Sequence, residues 1–505
     1  MNQTERLHSQ FPALRKLVPF DNALAATPWL ADDHARHNRK ICDSLEQAIM
    51  RSGLQNGMTI SFHHAFREGD QVINLVVATL ASMGLRDLTL ASSSLMTCND
   101  ELIEHIRRGV IRRIYTSGMR GKLADAISHG LMAEPVQIHS HGGRVKLIQD
   151  GELNIDVAFL GVPCSDAFGN ANGTQGASCC GSLGYAMVDA RYASKVVLLT
   201  ESLVPFPNMP ASIVQDQVDY IVPVERVGDP AKISVGAARV TSNPRELMIA
   251  RSAAEVIAHS GYFNDGFSMQ TGSGAASTAC TRFLGEKMAR DGIRARFALG
   301  GITGSLVDLH EQGLIGTLLD TQCFDSQAAA SLAHNPQHVE ISTNVYANPA
   351  SKAACCDQLD VVILSALEID TAFNVNVITG SDGVMRGASG GHCDVAAAAN
   401  LTIVVAPLLR SRIPTVVQQV TTCVTPGSCI DVLVTDHGIA VNPARPEIRA
   451  RLEAAGLPVM DIEMLWQRAI SLTGVPKAIE FTDRIVGVIR YRDGSVLDVV
   501  YQVKE

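Results

Sequence analysis

The chain of 505 residues has few aromatic side chains, which make up 5% of the sequence and include two tryptophans. No apolar run approaches the ~18 residues that a membrane-spanning helix needs, which argues against a transmembrane protein. No basic block is present, and a net charge of −9 argues against a nucleic-acid-binding protein. The first residues lack the basic-then-apolar pattern of a signal peptide. We therefore expect a cytoplasmic protein.

Patterns for disulfides, metals and nucleotides are also missing. The twelve cysteines lie mostly in apolar runs or next to each other, which indicates buried, reduced thiols. Five histidines could suggest a metal site, namely His63, His64, His139, His141 and His437. None of them has a Cys or carboxylate partner at zinc-site spacing, so we predict no metal site. A Walker motif, a G-x-S-x-G elbow and a dinucleotide fingerprint are absent from the sequence. A hydrophobic content of 46% and a charged content of 18% fit an enzyme or enzyme subunit with an ample core.

What the sequence does contain is an internal duplication. Asp156-Val-Ala-Phe-Leu recurs as Asp360-Val-Val-Ile-Leu, and Asp166 recurs as Asp370, both 204 residues later. Other landmarks recur in the same order at offsets up to 212 residues, among them Gly57-Met-Thr-Ile-Ser, which matches Gly266-Phe-Ser-Met-Gln. A repeat of this length is a duplicated domain and not a solenoid unit. Two homologous halves that face each other would form a cleft suited to a small ligand.

The pattern of apolar residues predicts an α/β fold with mostly parallel central sheets. Each half opens with an amphipathic helix, marked by Ile41, Leu45, Ala48 and Ile49 in the first and by Ile249, Ala253, Val256 and Ile257 in the second. Continuous apolar strands follow, at 157–160, 196–199, 361–364 and 403–405. We predict an N-terminal arm at 1–35, a first domain at 36–230 and a second at 231–505. Gly228-Asp-Pro and Asn243-Pro interrupt the pattern near the boundary.

Three glycine-rich loops follow predicted strands in the second half. They are Met269-Gln-Thr-Gly-Ser-Gly-Ala, Leu299-Gly-Gly-Ile-Thr-Gly-Ser and Arg386-Gly-Ala-Ser-Gly-Gly-His-Cys-Asp. Glycine lets a backbone approach a ligand, and ligands in open α/β sheets bind beyond the carboxyl ends of the strands. Glu368 also follows a buried strand, where a carboxylate serves catalysis or anchors a turn. His63 and His64 fall at the first-half position equivalent to Thr271 and Gly272, which gives them a possible place in the cleft.

These segments resemble the CoA-transferase superfamily. The run 269–275 resembles the coenzyme A loop of acetyl-CoA hydrolase and 4-hydroxybutyrate CoA-transferase enzymes, and further segments follow in that superfamily's order: Asp308-Leu-His-Glu-Gln-Gly, Asn335-Pro, Ser365-Ala-Leu-Glu-Ile-Asp, Ser389-Gly-Gly-His-Cys-Asp and Val420-Thr-Thr-Cys-Val-Thr-Pro. The resemblance runs from about residue 40 to 480. It implies two tandem CoA-transferase-like domains. It also implies a set of residues that bind the substrate or a CoA-like arm: Thr271, Gly272, Ser273, Gly274, Ala275, Gly390 and Gly391.

The chain departs from most of the superfamily at the covalent glutamate, since the equivalent position falls on Gly300. Glycine has no side chain that could form an enzyme-bound thioester. In this respect the sequence is similar to the citrate lyase α-subunit branch, which transfers an acyl carrier thiol without a glutamyl intermediate. Gly57-Met-Thr-Ile-Ser-Phe-His-His and Cys164-Ser-Asp-Ala-Phe-Gly-Asn-Ala-Asn-Gly resemble that branch as well.

The resemblance implies exchange of acetate for citrate on the thiol of an acyl carrier protein, with Gly300, Gly301 and Glu368 at the reacting centre. It implies an oligomeric complex with an acyl carrier (γ) subunit and a citryl-lyase (β) subunit. No cofactor is expected to bind tightly. The CoA-like prosthetic group belongs to the carrier, and CoA or acetyl-CoA would serve as its analogue.

Other interpretations stay open at this point. One is a CoA-transferase or acyl-CoA hydrolase that acts on free CoA thioesters. Another is a subunit that binds an acyl thioester without turning it over. A third is a sugar-phosphate isomerase or sensor, although the sequence has no dedicated phosphate loop. Citrate and citramalate are not distinguished by the sequence.

Overall fold

The fold consists of two large sheets with helices packed on them. A computed structural model describes residues 2–20, 40–233, 241–272 and 274–504. Its strands are β1 (Thr59–Phe62), β2 (Leu88–Ser92), β3 (Ile111–Thr116), β4 (Val136–Ile138), β5 (Val157–Val162), β6 (Cys164–Asp166), β7 (Ala171–Asn172), β8 (Lys195–Thr200), β9 (Leu203–Val204), β10 (Tyr220–Pro223), β11 (Ser268–Thr271), β12 (Ala295–Ile302), β13 (Ile315–Cys323), β14 (His338–Glu340), β15 (Val361–Ser365), β16 (Glu368–Asp370), β17 (Val375–Asn376), β18 (Leu401–Val405), β19 (Leu409–Arg410), β20 (Ile413–Pro414), β21 (Val416–Val417), β22 (Val432–Thr435), β23 (Gly438–Val441), β24 (Val459–Met460), β25 (Phe481–Arg490) and β26 (Val496–Val503).

Helices follow the strands in both halves of the described chain. The α-helices are Gln3–Gln10, Leu45–Ser52, Val72–Ser82, Leu102–Arg107, Gly121–Ser128, His141–Gln149, Gly184–Tyr192, Pro230–Ile233, Pro244–Ser260, Ala275–Asp291, Gly304–Glu311, Ser326–His334, Thr343–Ala347, His392–Ala398, Pro446–Ala454 and Ile462–Thr473. None of these helices combines the length and the apolar character that a membrane span requires.

Strand order repeats between the two sheets. The first sheet contains β10-β8-β5-β1-β2-β3-β4, and the second contains β22-β18-β15-β11-β12-β13-β14 in the same spatial order. Neighbours within these two runs are parallel. A smaller sheet, β7-β6-β9 in one half and β17-β16-β21 in the other, repeats as well. The predicted fold, two homologous α/β units with mostly parallel sheets, is confirmed.

The strands form where the sequence has continuous apolar runs. β5, β8 and β18 are buried along almost their whole length, because helices cover both faces of each sheet. The predicted helix of the second half is also present, and Ile249, Ala253, Val256 and Ile257 are all buried. In the first half the helix begins only at Leu45, after Ser44, whose hydroxyl accepts a hydrogen bond from the Gln47 amide. Ile41 lies outside this helix and bridges to Ile221 in extended backbone, which corrects the prediction.

The chain returns to the first sheet at its carboxyl end. β25 pairs with β4 through Gly487 and Val136, and β26 then closes the sheet as an antiparallel edge strand. A segment of the predicted second domain thus adds two strands to the sheet of the first. The predicted domain limits stay a prediction. Their junction at 234–240 and residues 21–35 of the arm lie outside the described residues.

Candidate active site

The carboxyl ends of the two parallel sheets face each other, and backbone and side-chain bonds join them. The amide of Ser389 in the second half donates to the Ser117 carbonyl at 2.7 Å, and the His141 amide donates to the Gly390 carbonyl at 2.8 Å. The Gln322 side chain donates to the His64 carbonyl at 3.3 Å. Since Ser117, His141 and His64 all follow strands of the first sheet, the strand ends at which the sequence predicts the site lie between the two halves.

The predicted coenzyme A loop lies between β11 and the helix Ala275–Asp291. Gly272 donates its amide to the Ile363 carbonyl at 2.8 Å, and the Ser277 hydroxyl donates to the carbonyls of Gly272 and Gly274. A Cβ atom at Gly274 would lie 2.1 Å from the Ser365 hydroxyl oxygen, so a larger residue there requires the Ser365 side chain to move. The helix begins after Gly274 without a side-chain cap, and its first N–H groups are available to an anion. Ser273 lies outside the described residues.

Gly300 and Gly301 lie near the end of β12 and are crowded by large side chains. Gly300 has φ +103°, a backbone conformation that favours glycine, and a Cβ atom there would lie 2.8 Å from the Gln270 side chain. A Cβ atom at Gly301 would lie 2.2 Å from the ring of Phe324. The backbone register with β13 also shifts between these two glycines. Glycine at both positions therefore lets Gln270 and Phe324 occupy the space in which other residues would have side chains.

The hydrogen bond between Gln270 and Tyr346 lies against both Gly300 and Gly391. Gln270 donates from Nε2 to the Tyr346 hydroxyl at 2.9 Å, and a Cβ atom at Gly391 would lie 2.5 Å from that same hydroxyl. His392 Nε2 lies 3.1 Å from the Ser365 carbonyl oxygen. Burial lowers the pKa of His392 to about 4, so its ring is neutral at pH 7. The structure thus brings Gly300 and Gly391 to one network.

Glu368 begins β16 of the small sheet and is tightly hydrogen-bonded. Asn376 Nδ2 and the Thr421 amide each donate to its carboxylate at 2.8 Å, and the Thr421 hydroxyl donates at 3.1 Å. Its residue exposure is 8%. These contacts account for Glu368 as an anchor between β16 and the loop at Thr421, one of the two roles expected for a carboxylate at a strand end. A catalytic role for it stays a prediction.

His64 and His141 form an aromatic cluster with Tyr185. The ring centroids of His64 and Tyr185 are 4.6 Å apart, and those of His141 and Tyr185 are 4.7 Å apart. His64 Nδ1 lies 2.6 Å from the Ser93 hydroxyl, whereas His63 turns away and places its Nε2 2.8 Å from the Gly161 carbonyl. Burial, helped by other cationic groups, lowers the pKa of His64 well below its usual value, and burial together with Arg144 lowers that of His141 to about 3. The cluster is therefore neutral.

A group of possible metal ligands lies at the end of β13, where the sequence predicted none. Asp320, Cys323 and His338 are buried, and their ligand atoms lie within 4.8 Å of one another. Cys323 donates to Asp320 Oδ2 at 2.8 Å, and His338 Nε2 lies 3.1 Å from the same oxygen. The three side chains therefore satisfy each other in this arrangement. Sequence spacing missed the group because His338 comes from β14 and joins it only through strand pairing.

Comparisons with known proteins all point to one family, and the similarity extends along nearly the whole chain. The family described as citrate lyase, alpha subunit (CitF) matches residues 38–503. The citrate lyase alpha chain of Klebsiella pneumoniae is 68% identical over 498 residues, which cover 99% of this chain and 98% of the relative. That of Escherichia coli K12 is 69% identical over 468 residues, covering 93% and 92%. A crystal structure of the α subunit of citrate lyase from Streptococcus mutans, in complex with citrate, has a TM-score of 0.91, 53% identity and coverage of 92% of both chains.

Proposed function

The chain belongs to the citrate lyase α-subunit family, and we propose that it exchanges acetate for citrate on the thiol of an acyl carrier protein. It is an enzyme subunit of the transferase type with a CoA-transferase-like fold. The observation that carries the finer proposal is the backbone of Gly300, where φ is +103° and Gln270 fills the space of a side chain. A protein nucleophile at this position would need both a strained backbone and a displaced neighbour.

The reaction can proceed without a protein nucleophile. A citrate carboxylate attacks the acetyl thioester, the carbon–sulfur bond breaks, and a citryl-acetyl mixed anhydride and the carrier thiolate result. The thiolate then attacks the citryl carbonyl, and acetate leaves with the electron pair of the anhydride bond. This path depends on positioning and on donors that stabilise oxyanions. Amides at Gly300, Gly301, Gly274 and Ala275 are the donors that we propose, since the Gly272 amide already donates to Ile363.

The thiol-bearing arm of the carrier is proposed to lie along the coenzyme A loop. Gly272, Gly274 and Ala275 would approach it with backbone alone, and Gly390 and Gly391 would border it from the third loop. The open N-terminus of helix Ala275–Asp291 supports this placement, because it offers N–H groups to an acyl oxygen or a phosphate. The partners proposed are the acyl carrier (γ) and citryl-lyase (β) subunits. The CoA-like group belongs to the carrier.

Incubation of the purified chain with acetyl-CoA and citrate tests the proposal. We expect citryl-CoA and acetate, and we expect faster exchange when the acetylated carrier protein replaces acetyl-CoA. Acetate and free CoA without citryl-CoA would indicate an acyl-CoA hydrolase. Saturable binding of acetyl-CoA without any product would indicate a subunit that only binds the thioester. The same assay with citramalate in place of citrate would show which of the two acceptors the enzyme prefers.

A further inference from the structure

Arg67 of the first half reaches across the cleft to the second. It follows His64 in a tight turn, in which the Arg67 amide donates to the His64 carbonyl at 3.0 Å, and its φ of +54° is unusual for a residue with a side chain. The guanidinium carbon lies 4.8 Å from the centroid of the Phe324 ring. Phe324 occupies this place because Gly301, next to it, has no side chain. A glycine and an aromatic ring of the second half therefore support a cation of the first.

Within the part of the chain that the structure describes, no ion pair neutralises this cation. Among the described residues, no carboxylate lies within ion-pairing distance of Arg67 or of Arg120, which follows β3 at the same end of the sheet. Buried Arg144 provides the contrast, since Asp189 accepts a hydrogen bond from it at 2.9 Å. Burial, with repulsion from Arg120, lowers the pKa of Arg67 to about 10. It is still a cation at pH 7. A partly buried cation such as Arg67, with a second cation near it, is costly unless an anion joins them.

Unpartnered polar atoms collect at the same strand ends. Ser117 Oγ, His141 Nδ1 and Gln270 Oε1 are buried and have no hydrogen-bond partner among the described residues. The relative exposure of Ser117 is 0%. Buried polar atoms are nearly always hydrogen-bonded in folded proteins. A cluster of exceptions on both walls of one cleft indicates that a polar ligand completes it.

We infer that Arg67 and Arg120 bind carboxylates of the acceptor and make the site selective for a polycarboxylate over acetate. The inference rests on the proposed function, which places citrate in this cleft, and it names the residues that recognise it. Guanidinium groups bind carboxylates through paired, charge-assisted hydrogen bonds. Citrate offers several carboxylates to the two cations, while acetate offers one. Acetate formed in the exchange is therefore held less tightly than the citrate that replaces it.

The test compares Arg67→Met and Arg120→Met in the citrate-dependent exchange at saturating acetyl-CoA. Loss of a hydrogen bond between charged groups predicts a rise of at least about tenfold in the KM for citrate in each variant, with little change in the KM for acetyl-CoA. Arg67→Lys keeps the charge but not the planar fork, so we expect an intermediate value. Arg86→Met serves as a matched control, because Arg86 is an exposed arginine of the same half, before β2, that donates to the Arg108 carbonyl.

Two further results separate this inference from the proposed function. If the parent chain forms citryl-CoA and both methionine variants keep the parent's KM for citrate, the inference is wrong and the function stands. If the parent chain forms no citryl-CoA, calorimetric titration with citrate decides the inference by itself. Binding that weakens at least about tenfold in folded Arg120→Met, an exposed position, would support the site. Equal binding by parent and variant would overturn it.

Discussion

Asp166 in the first half and Asp370 in the second form the same structure. The Asp166 carboxylate accepts hydrogen bonds from the amide and the side chain of Asn170, and the Asp370 carboxylate accepts them from the amide and the side chain of Asn374. Asp156 and Asp360 are matched in the same way, with bonds from the first residue of β1 at 2.7 Å and of β11 at 2.9 Å. The duplicated aspartates therefore fasten the loops and strands of the fold.

The strand ends of the two halves have diverged. β1 is followed by His63 and His64, whereas β11 is followed by Gly272, and the small sheets begin with Cys164 in one half and Glu368 in the other. The first half supplies cations and neutral imidazoles, and the second supplies glycine loops that a thioester can approach. The comparison teaches that the fold depends on strands and aspartates that the two halves share. The differences at one edge of each sheet carry the proposed chemistry.

Gly274→Val is expected to have the largest effect, because it fills the glycine loop that the first half lacks. Its side chain would overlap the Ser365 hydroxyl oxygen, which lies 2.1 Å from the position of a Cβ atom. We expect the loss of measurable exchange in a protein that remains folded by circular dichroism. Gly272→Ala in the same loop should slow the exchange less, since its Cβ atom would lie 3.3 Å from the nearest atom. Normal exchange by folded Gly274→Val would show that the loop is only a structural turn.

Gly300→Glu is expected to weaken citrate binding strongly. The new carboxylate would displace Gln270 and repel a trianionic acceptor in a partly desolvated site. Steady-state kinetics should give a KM for citrate at least about tenfold above that of Gly300→Ala, which carries the same backbone strain without the charge. If the glutamate and alanine variants bind citrate equally well, citrate does not lie beside β12.

Asp156→Ala and Asp360→Ala test the shared skeleton. Each leaves a strand amide without its acceptor, which costs about 1–3 kcal/mol of unfolding free energy. Asp360 also accepts bonds from the Ser268 hydroxyl and from Asn400, so its variant should be the less stable of the two. Chemical denaturation measures both values, and the KM for citrate should stay near that of the parent. A variant with unchanged stability and a changed KM would contradict the structural role of these aspartates.

Asp394 contributes a stability that depends on pH. Its carboxylate joins the halves by accepting bonds from the Ser140 hydroxyl at 2.7 Å and the Gly142 amide at 2.8 Å. Burial raises its pKa from 3.8 to about 6, so the folded state favours the protonated form. The stability from this group is present below pH 3.8 and is lost as the pH rises through about 6. That loss amounts to up to about 3 kcal/mol.

Asp394→Asn removes this titration. The Tm of the parent minus the Tm of the variant should therefore be larger at pH 4.5 than at pH 7.5. Thermal unfolding in matched buffers would measure this difference. Ser140→Ala provides a control, because it removes one of the two bonds and keeps the titrating carboxyl group. A difference in Tm that grows with rising pH would contradict the assignment.

The sequence predicted the repeated skeleton because apolar strand runs and duplicated aspartates are local signals. The strands around Asp156 and Asp360 lie where the pattern places them. The C-terminal hairpin was missed, since pairing of Gly487 with Val136 joins residues far apart in the chain and depends on the assembled sheet. Ile41 was assigned to a helix because its spacing fits helical periodicity, but Ser44 caps the helix at its N-terminus and the helix begins at Leu45.

For the site, the sequence identified loops but not the side chains that they bring together. Glycines at strand ends are visible in the sequence, as at Gly300 and Gly391. Arg67 and Tyr185 carry no motif. Arg67 lies beside Phe324 because one half packs on the other, and Tyr185 lies beside His64 through packing within the first half. The only local signal for Arg67 was its place three residues after His64, at the loop that matches the glycine loop of the other half.

The central claim is that the cleft transfers the acyl group with no enzyme-bound thioester, because Gly300 supplies no nucleophile. Its most direct test exposes the purified chain to an isotopically labelled acetyl donor, with and without citrate, followed by borohydride or hydroxylamine trapping and intact-mass analysis. The account predicts a protein of unmodified mass under both conditions, while labelled acetate appears only when citrate is present. A modified glutamate, at Glu368 or elsewhere, would contradict it.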